Sequence, residues 1–203
     1  MKLSALAIDG VRLIAVERAE DDRGYFARLW CREAFAKAGI AISVEQASAS
    51  FNARAGTLRG MHFAWPPAQE GKVVRCARGR LHDVLLDLRP DSASFLTSLA
   101  VVLDAEEHNA VFVPPGVAHG FQTLLDNTEV HYMMSESYRP GLTDGVRFDD
   151  PRFGITWPLP VSCASDRDRQ YPDFDVLAHQ RRFEAALNSA NGATVTEGGA
   201  SAA

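Results

Sequence analysis

The sequence predicts an all-β antiparallel fold, a sandwich or barrel of jelly-roll type with short peripheral helices. Three observations carry this. Short segments rich in β-branched and aliphatic residues recur along the chain, each of strand rather than helix length. Turn residues punctuate them closely, at Gly79, Pro90-Asp91, Pro114-Pro115-Gly116 and Asp126-Asn127, where Gly and Pro break regular structure. Long helical periods are few.

Taken in order, the expected strands are Val11–Val16, Gly24–Trp30, Ile42–Ser50, Thr57–Phe63, Lys72–Ala77, Arg80–Leu88, Phe95–Leu103, Ala110–Val113, Val117–Leu125 and Glu129–Ser137. Arg32–Ala38 lacks proline and stops at Gly39, so it reads as a short helix with a glycine terminator. A second helix is expected over Asp173–Leu187, where Phe174, Leu177, Phe183 and Leu187 stand near helical spacing. One domain over residues 1–187 accounts for these elements. From Asn188 onward Ser, Ala, Gly and Thr dominate without core residues, and a disordered tail over 188–203 is expected.

Composition narrows the classes. A chain of 203 residues that is 46% hydrophobic can bury a substantial core, and leaves little for a second domain. Its net charge of −5 argues against general nucleic-acid binding, which calls for a basic face. Cys31, Cys76 and Cys163 stand far apart without a CxxC pair, which disfavours a disulfide framework or a structural zinc site. The opening Met1–Ile8 is briefly apolar but meets Asp9, and no apolar run approaches the roughly 20 residues a bilayer span needs. A soluble cytoplasmic protein without membrane association is the expectation.

The chemistry concentrates in Arg59-Gly60-Met61-His62-Phe63 and Gly71-Lys72-Val73-Val74-Arg75. Together they offer a base, an anion-binding guanidinium and an ammonium. Removing a proton next to a carbonyl requires a base on the carbon and a cation on the developing enolate. A single histidine is more often a hydrogen-bonded structural residue. His62 and His119, however, both lie on apolar segments beside glycines. Lys72 would need a compensating anion if it pointed inward, which an enolate or phosphate supplies. Arg59 has the fork that matches phosphate oxygens. Tyr132, central in its strand, reads as amphipathic core or as a proton donor opposite the base. In Ser165-Asp166-Arg167-Asp168 a carboxylate is available to orient His62.

Metal is disfavoured at this site. Metal-dependent sandwiches of cupin type place two histidines at i and i+2, yet position 64 is alanine. Only Pro114-Pro115-Gly116-Val117-Ala118-His119 matches the turn that leads to a cupin's last histidine, which leaves too few ligands.

From about Asp21 to Pro172 the chain resembles the dTDP-4-dehydrorhamnose 3,5-epimerase family, nucleotide-sugar epimerases of cupin fold. The resemblance rests on Asp22–Phe26, Thr57–Phe63, Gly71–Arg75, Asp83–Arg89, Pro114–Phe121, and Asp149-Asp150-Pro151 with Gly154–Pro158, in the family's order. It implies a cofactor-free enzyme with His62 as base, Asp168 as its partner, Lys72 on the enolate, Tyr132 as acid and His119 near the sugar carbonyl. It implies Arg59 on the diphosphate, and Gln46, Ser48 and Tyr138 among the substrate contacts. Arg23 and Phe26 resemble nucleotide contacts given by the neighbouring subunit of a homodimer with exchanged N-terminal strands.

Departures from the family pattern fall around the sugar and nucleotide contacts: Phe63-Ala64, Arg28, Ser48 and Arg167 stand where other residues are usual. The implied reaction inverts carbon 3, carbon 5 or both of an NDP-4-keto-6-deoxyhexose. Competing readings are a sugar-nucleotide ketoisomerase, which would not use Lys72 or the Tyr132 acid, a metal-dependent cupin oxygenase and a non-catalytic sugar-binding module. The last has no need of an opposed acid and base.

Overall fold

The computed structural model describes residues 1–197, with side chains described as far as Ser189. Among these described residues thirteen strands and three helices follow one another as β1 Lys2–Ala5, β2 Arg12–Ala15, β3 Arg18–Asp21, β4 Gly24–Ala27, α1 Arg32–Lys37, β5 Gln46–Asn52, β6 Leu58–Ala64 and β7 Lys72–Arg78, then β8 Arg80–Asp87, β9 Ser98–Asp104, β10 Ala110–Val113, β11 Val117–Thr123, β12 Thr128–Met134, β13 Thr143–Gly145, α2 Asp166–Gln170 and α3 Val176–Glu197. A six-stranded sheet in the order β1-β2-β10-β7-β12-β5 faces a five-stranded sheet in the order β13-β6-β11-β8-β9. Their pairings are antiparallel. The chain is a cupin-like β-sandwich, the jelly-roll type that the strand spacing predicts.

Period-2 alternation explains what lies between the sheets, because residues i and i+2 share a face. Val74 and Cys76 of β7, Leu81 and Leu85 of β8, Val117 and Phe121 of β11, and Val130 of β12 pack in one buried cluster. Lys72, Asp83, His119 and Tyr132 fall at the intervening positions of the same faces. The interior is therefore apolar over most of its depth and polar at one end. Fully burying a Leu or Phe here contributes about 1.5–3 kcal/mol each, so the apolar part carries the polar residues. The outer faces are covered separately: Met61, Phe63, Val84 and Leu86 meet Phe153, Phe174 and Phe183, while Ile14, Val73 and Phe112 meet Phe35 of α1.

Several elements depart from the sequence expectation. β4 ends at Ala27 rather than Trp30, because the Trp30 ring leaves the ladder to pack, tilted, 4.3 Å from the Phe35 ring. The strand expected over Ile42–Ser50 lies at Gln46–Asn52, since Ile42 is taken into the cluster around Phe35. β3 escapes pattern reading because all four of its residues are exposed; it pairs only with β4. α3 begins at Val176 and continues to Glu197, so the tail expected to lack order from Asn188 is helical over 188–197. Ala185, Ala186, Ala190 and Ala193 favour helix, and the Ser189 hydroxyl donates to the Ala185 carbonyl at 2.9 Å. Residues 198–203 lie outside the described ones. No helix among the described residues is long and apolar enough to cross a membrane.

Candidate active site

At the polar end of the sandwich lies a cavity of about 670 Å³, lined by residues of both sheets and of the segment leading into α2. From the five-stranded sheet come Arg59, His62 and His119; from the six-stranded sheet come Ser50, Lys72 and Tyr132. His62 and His119 are direct cross-strand partners, so both rings project from one face. Gly60 and Gly120 make this possible. A Cβ at Gly60 would fall 2.5 Å from Gly120 Cα, and one at Gly120 would fall 2.6 Å from Met61 Sδ. Only glycine lets β6 and β11 approach so closely beside the two rings.

His62 Nε2 is 2.7 Å from Asp168 Oδ1. The same carboxylate accepts from the Gly60 N–H at 3.3 Å. Asp168 is itself held by the start of α2, where Ser165 caps the helix by accepting from the Asp168 N–H at 3.1 Å. α2 is fixed against β6 and β13: Leu58 N–H donates to the Cys163 carbonyl at 2.8 Å, and Arg167 donates to the Thr143 carbonyl. Burial pushes the Asp168 carboxyl up, but the bonds from His62, Gly60 and Ser165 outweigh it and hold it below its ordinary value. With Nε2 engaged, Nδ1 of His62 has no protein partner among the described residues. An imidazole bonded to an ionised carboxylate has its tautomer fixed and its conjugate acid supported.

The second histidine repeats the arrangement at greater depth. His119 Nε2 is 2.7 Å from Asp83 Oδ2, and the Asp83 side chain is wholly buried. Burial raises the Asp83 carboxyl, with His119, His82 and Lys72 pulling the other way. Lys72, at the head of β7, points inward: its side chain is 12% exposed and its ammonium is 2.9 Å from Glu70 Oε1. Tyr132 has its hydroxyl 3.2 Å from Ser50 Oγ, and burial pushes it up to about 12. Arg59 donates through Nε to Asn52 Oδ1 at 2.8 Å, leaving its terminal nitrogens available for an anion. Among the described residues no three His, Cys, Asp or Glu side chains gather as a metal site.

The structure thus brings His62, Asp168, Lys72, Tyr132, Arg59, His119 and Tyr138 to one cavity. Gln46 lies just behind, accepting from the Tyr138 N–H at 3.0 Å. Ser48 opposes Tyr132 in register, on the same face of β5 as Ser50 but outside the cavity wall. Arg23 and Phe26 are not brought there. Both belong to the exposed β3–β4 hairpin, with Phe26 71% exposed and Arg23 paired to Asp21. Sequence reasoning did not single out Glu70, Ser50 or Asn52, nor Asp83 as the partner of His119. Two of these carried a signal. Asp83 and Asn52 are polar residues at the inward phase of apolar-flanked strands, and such residues need a partner.

A model of the family described as dTDP-4-dehydrorhamnose 3,5-epimerase matches residues 5–175. The dTDP-4-dehydrorhamnose 3,5-epimerase of Sinorhizobium fredii is 35% identical over 85% of this chain and 89% of its own. The dTDP-4-dehydrorhamnose 3-epimerase of Streptomyces niveus is 35% identical over 83% of this chain and 82% of its own. Among solved structures, the dTDP-4-dehydrorhamnose 3,5-epimerase of Bacillus anthracis, with TDP and pyrophosphate bound, superposes with a TM-score of 0.82 at 34% identity, covering 85% of this chain and 99% of that one. With its fold, its cavity and the match over most of its length in agreement, this chain belongs to the dTDP-4-dehydrorhamnose 3,5-epimerase family of carbohydrate epimerases.

Proposed function

We propose that the cavity epimerises an NDP-4-keto-6-deoxyhexose by proton removal on one side of the sugar and proton return on the other. The observation that carries this is the placement of base and acid on opposing sheets. His62 projects from the five-stranded sheet and Tyr132 from the six-stranded one. The cavity of about 670 Å³ that both groups line has room for one sugar ring. Inversion at carbon needs this opposition, since a base that returns its own proton to the same side restores the starting centre.

The 4-ketone acidifies the C–H bonds at carbons 3 and 5. His62 takes one proton through Nδ1, and Asp168 steadies the imidazolium that forms. The electron pair moves onto the ketone oxygen, where the Lys72 ammonium and the His119 ring meet the enolate charge. Tyr132 then gives its proton to the opposite side of the carbon. Because burial pushes it to about 12, it holds that proton at neutral pH, and Ser50 Oγ offers a way to replace it. No cofactor enters these steps.

Arg59 takes the diphosphate, whose oxygens its fork matches. Tyr138 lines the nucleotide side of the cavity, with Gln46 behind it holding its backbone N–H and Ser48 further out on β5. Arg23 and Phe26, exposed on a hairpin away from their own cavity, serve the cavity of a second copy in a homodimer with exchanged N-terminal strands. The relatives named for dTDP sugars support thymidine as the nucleoside, and include both 3,5- and 3-epimerases.

The test is incubation of the protein with a panel of NDP-4-keto-6-deoxyhexoses in deuterated water, followed by NMR. The reading expects deuterium at carbon 3, carbon 5 or both, with inversion, for at least one nucleotide. No wash-in for any of them would overturn it.

A further inference from the structure

The ammonium assigned to the enolate is already paired in the cavity. Lys72 Nζ is 2.9 Å from Glu70 Oε1, and the Glu70 and Lys72 side chains are only 16% and 12% exposed. Glu70 lines the same cavity, and among the described residues no other group donates to its carboxylate. The mechanism makes no use of it. A carboxylate beside the one cation that must meet a developing negative charge weakens that cation, so a role limited to charge pairing works against the reaction.

We infer that Glu70 is a specificity-determining residue, whose carboxylate accepts a hydrogen bond from the sugar hydroxyl adjacent to the ketone. An ammonium has three donors, so Lys72 can keep Glu70 on one and give another to the ketone oxygen. The ketone then lies beside the Glu70 carboxylate. Of its two neighbouring carbons, carbon 5 carries the ring oxygen and the methyl group, and offers no donor. Carbon 3 carries a hydroxyl, and oxygens on adjacent ring carbons lie about one hydrogen-bond length apart. The pair thus reads a ketone and its neighbouring hydroxyl together, Lys72 as donor and Glu70 as acceptor. A carboxylate is acceptor-only when ionised, so it selects for a hydroxyl and against a hydrogen at carbon 3. It also fixes which end of the ring faces β7.

The inference rests on the epimerase reading, and the test separates the two. Deuterium wash-in is measured for wild type, Glu70→Ala and Glu70→Gln on a 4-keto-6-deoxyhexose nucleotide and on its 3-deoxy counterpart. Wild type is expected to favour the hydroxyl-bearing sugar in kcat/KM. Glu70→Ala should lose about tenfold or more on that sugar, the scale of one hydrogen bond to a charged acceptor, and little on the 3-deoxy sugar. Glu70→Gln, which keeps an acceptor oxygen of the same reach, should retain part of the preference. Equal losses on both sugars would mean that Glu70 only places Lys72, and unchanged kinetics on both would mean no role; either overturns the inference while leaving wild-type exchange, and so the epimerase reading, intact. If wild type exchanges neither sugar, the epimerase reading itself falls and takes this inference with it.

Discussion

At the scale of single residues, the functional reading makes His62 and Tyr132 separable. His62→Ala should lower turnover by about 100-fold or more, the usual scale of general-base catalysis. Tyr132→Phe should instead let deuterium enter while inversion falls away, because deprotonation survives and delivery to the other side does not. NMR of the recovered sugar reads both quantities in one sample. Tyr132 also gives a pH prediction. Its folded value is raised to about 12 by burial, against about 10 when unfolded. The stability this represents is full below about pH 10 and is lost as pH climbs towards about 12. Denaturant titrations at pH 9 and pH 11 should therefore show a loss in wild type that is smaller in Tyr132→Phe. Asp168 carries the opposite sign: its value is depressed, so its contribution is present above the ordinary carboxylate range and disappears as pH falls through its folded value. Much of this was legible in sequence. Lys72 sits in phase with Val74 and Cys76, although its direction was open in sequence; Asn52 showed as an inward polar residue, while Glu70 was not legible, because it meets its cation only through the folded geometry.

At the scale of elements, two packings are open to test. The β6–β11 contact tolerates no side chain at its closest point, where Gly60 has a φ of +118° and an added Cβ meets backbone. Gly60→Ala should lower stability and also cut activity, since the same contact aligns His62 with His119. The second packing is α3 against the outer face of the five-stranded sheet. His179 lies 4.9 Å from both Trp65 and Phe174, ring to ring, and bonds to the Leu88 carbonyl at 2.7 Å. Burial lowers its pKa, the Leu88 bond opposing. The stability it lends is full above the unfolded histidine value of about 6.5 and fades as pH falls through the lower folded value. His179→Ala should cost about 1–3 kcal/mol, the desolvation penalty of a buried group left unpaired, read as a fall in thermal midpoint. The strands of the sandwich were legible because both sheets bury an alternating apolar face. β13 and α2 were not, being too short to show a period; both are fixed by contacts with β6 that only the fold creates.

At the scale of the whole molecule, the site extends beyond one copy if the hairpin reading holds. Arg23 and Phe26 are then present in each chain but serve the other. Mixed dimers of His62→Ala and Arg23→Ala chains would place both defects in one cavity and leave the other cavity whole. Activity should recover on mixing beyond the sum of the separate variants, and no recovery would assign the hairpin to some other task. The family's β-sandwich was readable from strand spacing, while the hairpin was not placed by any apolar pattern because its residues face outward. The central claim remains that one imidazole, steadied by Asp168, removes the proton beside the ketone. Its most direct test is solvent deuterium exchange into the preferred keto sugar by wild type and by His62→Ala under identical conditions. The account predicts that label enters with wild type and is slowed by two orders of magnitude or more in the variant; exchange at equal rates would contradict it.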